Sequence, residues 1–527
     1  MTDRTKQAIR VIEAALLLGV LGDGLLRATP WGLNVLIWTA ALVIALFVLL
    51  PRKRRATLAG AGHWPLISSI LFAASFAWRD SMMLNFLAWL GMLISLALAA
   101  WRARGGRIRL AGISDYVMGI LVEGVNAFLA GFPLLLCDVE WKEITGAGRS
   151  RQVKATLRGL VIAVPLLVLF STLFMSADAR FEGLVNRIFS LDFDDAFGHT
   201  FLALALAWIA GGYLRGLLFG REVKIVNGRA TLVSANPAEN RSLEIISLNN
   251  APQNPKPQPI SLGIVEIGVS LGLLNLLFLV FVLLQLRYFF GGASLVQTSD
   301  GLTFSGYYRR GFFELVTVAA LVLPILLAAH WLLSKENPAH ERIFRLLAGT
   351  QVALLFVIMT SAVRRMLLYQ SEYGLTELRL YTTAFMAWLA LVFVWFVATA
   401  LRGRREQFAC GALITGLLVI ATLHVMNPDA FIVRVNVAHA QAGRGFDADY
   451  AASLSADATP ALLESLPALN RDSRSVIAAR VLKRWSHTEG YDWRSWNWSR
   501  SESRRIVQER VEELRVVSSP QVAAQAQ

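Results

Sequence analysis

Arg309 and Arg310 stand side by side, and Glu314 follows within about one helical turn, where a polar loop opens into the apolar run from Leu315 to Leu333. Two guanidinium groups and a carboxylate in that arrangement can do one of two things. They can grip an oxyanion through forked N–H pairs, or they can close on one another as ion pairs with their stems laid along apolar surface. Charge at the mouth of a membrane span is costly, so one of those tasks must justify it. Arg287 precedes the pair, and Arg364, Arg365, Glu372 and Arg379 follow the next span, which makes the group a candidate ligand site for phosphate or carboxylate.

A second acidic spot is Asp192, Asp194 and Asp195. Three carboxylates so close can hold a divalent cation through oxygen, or form a solvated rim where negative charge favours the start of the next helix. Within apolar runs, Glu266 and His330 are candidates for proton-coupled work or for hydrogen bonds between packed helices. The chain has no Walker loop, no G-x-S-x-G, no H-E-x-x-H and no dinucleotide fingerprint. No catalytic set and no cofactor emerge. Cys137 and Cys410 lie far apart and form no metal or disulfide framework.

The elements that must position these residues are membrane helices. Hydrophobic residues make up 55% of the 527, and mean hydropathy is +0.51. The expected fold is all-α: a polytopic membrane protein of about eleven spans. They are read near Ala8–Leu26, Trp31–Leu50, Trp64–Trp78, Met82–Trp101, Leu157–Ser176, Phe197–Phe219, Leu262–Leu286, Gly311–Leu333, Leu346–Val363, Tyr381–Leu401 and Cys410–Met426. Glu13 and Asp23 in the first run, and the lack of a small-residue cleavage site, argue against a cleaved signal. Gly112 to Leu136 is long enough to span but has basic clusters on both sides and carries Asp115, Glu123 and Asn126, so it reads as an in-plane or re-entrant cytoplasmic helix.

The formal net charge of +14 fits basic cytoplasmic loops rather than a nucleic-acid partner. By the positive-inside rule, the loops at Arg52–Arg55, Arg102–Arg109, Lys142–Lys154, Arg221–Lys224, Lys335–Arg345 and Arg402–Arg405 share the cytoplasmic side. The N-terminus is then cytoplasmic and the C-terminus extracytoplasmic, in a bacterial inner membrane. Residues 1–136 are read as N-terminal membrane helices and 137–426 as the core membrane domain. Within the latter, 220–259 forms a cytoplasmic hairpin and linker, signalled by Asn227-Gly228 between β-prone runs and by Pro252, Pro255, Pro257 and Pro259. Residues 427–527 form a small extracytoplasmic helical domain, with amphipathic helices over Ser473–Trp485 and Ser501–Val517. Trp485, Trp493, Trp496 and Trp498 read as its core or as an anchor on the membrane interface.

Several blocks resemble an uncharacterised bacterial multi-pass membrane family catalogued as a domain of unknown function. They include Tyr307-x-Arg309-Arg-Gly-Phe-Phe-Glu314-Leu315, Ser176-Ala-Asp-Ala-Arg-Phe-Glu182, Phe289-Phe-Gly-Gly-Ala293 and Arg365-Met-x-x-Tyr369. Tyr373-Gly-Leu-Thr-Glu-Leu-Arg-Leu-Tyr381, Asn427-Pro-Asp-Ala-Phe-Ile-Val-Arg-Val-Asn436 and Leu454-Ser-x-Asp457-Ala-x-Pro460-Ala-Leu462 complete the set, which runs from about Leu157 to Leu469. The resemblance implies an inner-membrane location and supplies no activity or functional residue.

The expected function is non-enzymatic: binding or moving an anionic envelope component, a lipid head group or solute, at the outer arginine cluster. Two alternatives remain open. One is a scaffold or sensor that meets an envelope protein through 427–527, and the other is a glycosyltransferase using a lipid-linked donor. A reporter fused after Val517 is expected to be active only outside the cytoplasm, and one fused near Asn249 only inside. A fusion near Gly146 that reported outside would make 112–136 a true span.

Overall fold

The computed structural model describes residues 1–50, 63–103, 113–140, 194–219, 221–226, 229–234, 264–290, 312–333, 338–486 and 492–518. Three groups of helices are built from them. The first comprises α1 (Asp3–Leu26), α2 (Leu33–Leu49), α3 (Trp64–Trp78), α4 (Met82–Ala103), α5 (Ile113–Leu129) and α6 (Asp194–Phe219). After α6, β1 (Arg221–Val226) and β2 (Arg229–Ser234) pair antiparallel with Val226 opposite Arg229, a register set by a two-residue connection. The second group is α7 (Ile264–Phe290), α8 (Phe312–Leu332), α9 (Pro338–Tyr373) and α10 (Glu377–Thr399), and α11 (Phe408–Met426) packs against both groups. The third, a tail, holds α12 (Pro428–Gln441), α13 (Ala448–Ser453), α14 (Thr459–Ser465), α15 (Arg471–Trp485), α16 (Trp498–Glu509) and α17 (Val511–Ser518).

Among the described residues, seven helices are long and apolar enough to cross a membrane: Met82–Arg102, Gly198–Phe219, Ile264–Leu283, Leu315–Leu332, Pro338–Tyr373, Glu377–Arg402 and Phe408–Met426. The other expected spans are not among these seven. α1 does not qualify, because Asp3, Arg4, Lys6, Arg10, Glu13 and Asp23 punctuate it. α2 and α3, at 17 and 15 residues, fall short of the roughly 20 that a bilayer core demands. The expected span Leu157–Ser176 lies outside the described residues. The spanning helices are apolar on both faces. α7 buries Ile267, Leu271, Phe278 and Val282 while exposing Val265, Val269, Leu273 and Leu277, as a lipid-facing helix does.

Close approach in the first group depends on glycine. α1 lies along α6 with Gly19 against the Ala203 carbonyl, where a Cβ would sit 2.2 Å away. α5 lies along α6 with Gly212 so close to the Ala127 carbonyl that a Cβ would come within 1.9 Å of it. Trp208 donates its ring N–H to the Phe128 carbonyl at 2.7 Å and packs on Gly131.

These contacts settle the path of the segment after α4. It starts with Tyr116 edge-on to Trp101 in the last turn of α4. It then reaches the middle of α6 at Trp208 and turns back through a short π-helix, Leu134–Asp138. It ends with Asp138 paired to Arg4 in the first turn of α1 and to Arg215 near the end of α6. The start of α1 and the ends of α4 and α6 share one end of the bundle, so the segment enters and leaves at that end.

α9 is 36 residues long, about 54 Å, and overruns a hydrocarbon core of about 30 Å. Its last turns carry Arg364, Arg365, Tyr369 and Glu372 toward the tail. Gly212→Ala is expected to cost about 1–3 kcal/mol by overpacking. Gly349→Ala, whose Cβ would meet nothing within 4 Å, is expected to be neutral or to stabilise by about 0.5–1 kcal/mol. Thermal denaturation of the two purified variants in detergent compares them.

Candidate functional site at the tail junction

A helix leaves its first amides and last carbonyls unbonded, and at one end of this protein the tail supplies their partners. Asp457, in the short turn before α14, is 3% exposed. Its Oδ2 accepts from the backbone N–H of Asp80 at 2.8 Å and of Ser81 at 2.9 Å, capping α4 from a residue more than 370 positions away. Its Oδ1 faces Arg79 Nη1 at 3.5 Å and accepts from the Ser499 hydroxyl. Asp80 returns the exchange: its Oδ2 accepts from the Ala456 N–H at 3.2 Å, and its Oδ1 pairs with Arg500 Nη1 at 3.1 Å.

α16 carries most of the remaining donors because Asn497 caps it and turns Ser499, Arg500 and Ser503 toward the helix ends. Arg500 Nη2 donates to the carbonyls of Trp31 (3.1 Å) and Ser495 (2.6 Å). Asn497 Nδ2 donates to the Phe76 and Arg79 carbonyls, both at 2.8 Å, at the end of α3. Arg79 Nε in turn donates to the last-turn carbonyl of His424 in α11 at 2.8 Å.

The loop between α9 and α10 is held the same way. Gly374 (φ 71°) turns the chain, and Asn436 of α12 pairs with Leu375, accepting from its N–H at 2.6 Å and donating to its carbonyl at 2.9 Å. The Tyr450 hydroxyl accepts from the Glu377 N–H at 2.8 Å, and burial pushes that phenol up to about 12.

Asp429 departs from this full pairing. It is wholly buried, and its Oδ2 accepts from the Ser455 N–H and hydroxyl. Its Oδ1 has no hydrogen-bond partner. Burial pushes its carboxyl up to about 7 against the Ser455 hydroxyl, with Glu377 and Asp457 adding repulsion. Burial also raises Asp80, against the pull of Arg500.

The residues singled out from sequence fall in several places. Arg379 donates to the Tyr373 carbonyl at 3.1 Å and to the Gly374 carbonyl, and lies 4.2 Å from the Tyr369 ring centroid. Glu372 pairs with Arg444 of the tail at 3.3 Å. Arg364 is exposed and Arg365 half-buried on the overhanging part of α9. Arg287 lies in α7 and Glu314 in α8, while Arg309 and Arg310 are outside the described residues. Asp194 and Asp195 open α6, and Asp192 is outside the described residues. Among the described residues, no three His, Cys, Asp or Glu side chains are grouped to hold a metal. Glu266 is exposed in the first turn of α7, and His330 stacks on Phe344 at 5.0 Å. Of the tryptophans, Trp485 is in the tail core, whereas Trp493 and Trp498 are exposed close to Trp31 and Trp78, which are exposed too.

Sequence reading missed Asp80, Asp429, Asp457, Arg79 and Arg500. The available signal was capping chemistry: Asn427-Pro-Asp429 and Ser455-x-Asp457 are both helix-start patterns. Because the folded pKa of Asp429 lies above its unfolded value near 4, the folded state holds the extra proton. Its contribution is therefore most favourable below about pH 4 and is lost as pH rises through about 7. The melting temperature in detergent is expected to fall between pH 5 and pH 8, and Asp429→Asn to remove most of that slope. An unchanged slope in the variant would place the titration elsewhere.

No curated protein and no solved structure matches the chain. Residues 66–465 match a family described as a domain of unknown function, DUF4153, beginning well before Leu157, where the resembling blocks start. The matched stretch contains Asp80, Asp429, Ser455 and Asp457, while Arg500 lies beyond it. With its membrane helices, its acidic junction and the greater part of its length inside that match, the chain belongs to the DUF4153 family.

Proposed function

We propose that this is a non-enzymatic membrane protein whose tail is a partner-binding or sensing head on the extracytoplasmic side, coupled to the helix ends through the polar junction. The observation that carries this reading is the reciprocal exchange between Asp80 and Asp457, closed by Arg79 and Arg500. A tail that served only as an appendage would have no use for buried charge at its base. Buried pairs of this kind specify one arrangement more than they add stability, and removing one partner strands the other. A change in the tail is therefore transmitted to α2, α3 and α4, whose ends it caps, and through Arg79 to α11.

The outer arginines support a second reading, the holding of an anionic envelope component. Arg379 and Glu372 are already engaged within the fold. The other arginines of the cluster are Arg287, Arg309, Arg310, Arg364 and Arg365, and Arg364 is exposed. Changing Arg309 and Arg310 to Gln separates the two readings, because the tail-coupled reading expects no loss of function.

Asp457→Ala is expected to cost about 3–5 kcal/mol by leaving Arg79 and two amides without their acceptor. Photo-crosslinkers placed at the exposed positions Glu464 and Asp472 are expected to trap a discrete envelope protein in cells. The adduct should be lost in the Asp457→Ala background. An adduct indifferent to Asp457→Ala, or none from either position, would sink the coupling.

A further inference from the structure

At the opposite end of the bundle lies a second buried charge group that the tail does not touch. Asp138, 1% exposed, closes the re-entrant segment. Its Oδ2 accepts from Arg215 Nε at 2.5 Å and its Oδ1 from Arg4 Nη2. One carboxylate serves two guanidinium groups, so the trio carries a net positive charge. Arg215 is 0% exposed, and neither Nη1 nor Nη2 has a hydrogen-bond partner.

Four of its five N–H donors are thus buried and unused. Such donors cost several kcal/mol when nothing accepts from them. Leu214, Leu217, Leu218, Val139 and Ala8 are buried and apolar. The hydroxyl of Thr5 is engaged by the Glu140 N–H at 3.3 Å and by Thr2 at 2.8 Å. The unused edge of Arg215 is the fork whose two nitrogens match two oxygens of a tetrahedral oxyanion.

We propose that Arg215, with Arg4 and Asp138, forms a phosphate-binding site at the end of the bundle opposite the tail. Asp138 holds Arg215 through Nε and so aims the Nη1–Nη2 edge, while Arg4, with its side chain 38% exposed, is the member that solvent reaches first. The arriving phosphate takes its two oxygens to Arg215 and draws Arg4 in as the second cation. Re-entrant backbone at membrane depth persists where it lines a site, and the π-turn at Leu134–Asp138 places Asp138 under Arg215. The phosphate is either free or the head group of an anionic lipid, and the site recognises the same group in both.

The test uses the full-length protein in detergent. Equilibrium dialysis with radiolabelled inorganic phosphate measures the first source. Native mass spectrometry, comparing retention of phosphatidylglycerol with that of a phosphate-free glycosyl diacylglycerol, measures the second. Saturable phosphate binding, or selective retention of phosphatidylglycerol, upholds the site and names its source. Arg215→Lys keeps the charge but loses the fork, and is expected to weaken whichever binding is found about tenfold or more. Asp138→Asn removes the competing carboxylate and is expected to tighten it, whereas Arg4→Gln is expected to weaken it. If Arg215→Lys fails to fold, the other two variants decide, because they must shift affinity in opposite directions. Binding of neither probe, equal affinity in Arg215→Lys and wild type, or Asp138→Asn and Arg4→Gln failing to move affinity in opposite directions would overturn the proposal.

Discussion

The carboxylate of Asp457 sits where water cannot serve it, between two peptide amides, a hydroxyl and a guanidinium. Membrane helices keep their backbone groups satisfied along their length and face their problem at the ends, where amides and carbonyls run out of intrahelical partners. Elsewhere such ends are capped by a neighbouring residue or by water. Here α4 is capped by an aspartate from the tail, and the residue that an ordinary reading would nominate as the local cap, Asp80, faces outward to cap that aspartate's own turn. Each side is incomplete without the other. The arrangement of α2, α3, α4 and α11 at this end therefore depends on the tail being seated.

This dependence explains the distribution of buried polar groups. The tail has an apolar core of its own, built from α12 to α17 around Val433, Leu462, Ile477 and Val507. Its polar side chains are concentrated on the face toward the helix ends, where Asn497, Ser499, Arg500 and Ser503 are all nearly or fully buried. Polar burial on that scale is tolerated only when every group is satisfied. Asp429 Oδ1 and His424 Nε2 depart from that, and burial pushes the Asp429 carboxyl up to about 7.

The spans from α7 to α11 were legible because their apolar runs have the length of a bilayer, and the β1–β2 hairpin because Asn227-Gly228 separates two β-prone runs. The tail helix α15 followed from helical periodicity to within two residues, whereas the single helix expected over Ser501–Val517 is broken at Arg510 into α16 and α17. α1 carries Glu13 and Asp23 within its apolar run, and packing places Asp23 beside Arg27 and His199. The junction was not legible. An aspartate before a helix reads as that helix's cap, and nothing local reveals that Asp80 and Asp457 exchange roles across the chain. Arg379 looked free for a ligand because the carbonyls that engage it are aimed by Gly374, whose positive φ is a property of the fold.

The order in which the chain is made gives the long-range caps a further meaning. Asn497 reaches back to the carbonyls of Phe76 and Arg79 across more than 400 residues. At roughly 5–20 residues per second, a ribosome needs on the order of 20–80 s to cover that distance. Throughout that interval the groups at the end of α3 and the start of α4 have no partner from the tail. Membrane insertion and completion of the fold are thus separate events in the life of one molecule. A chain cut short before its last helices would leave the end of α3 without the two donors that Asn497 supplies.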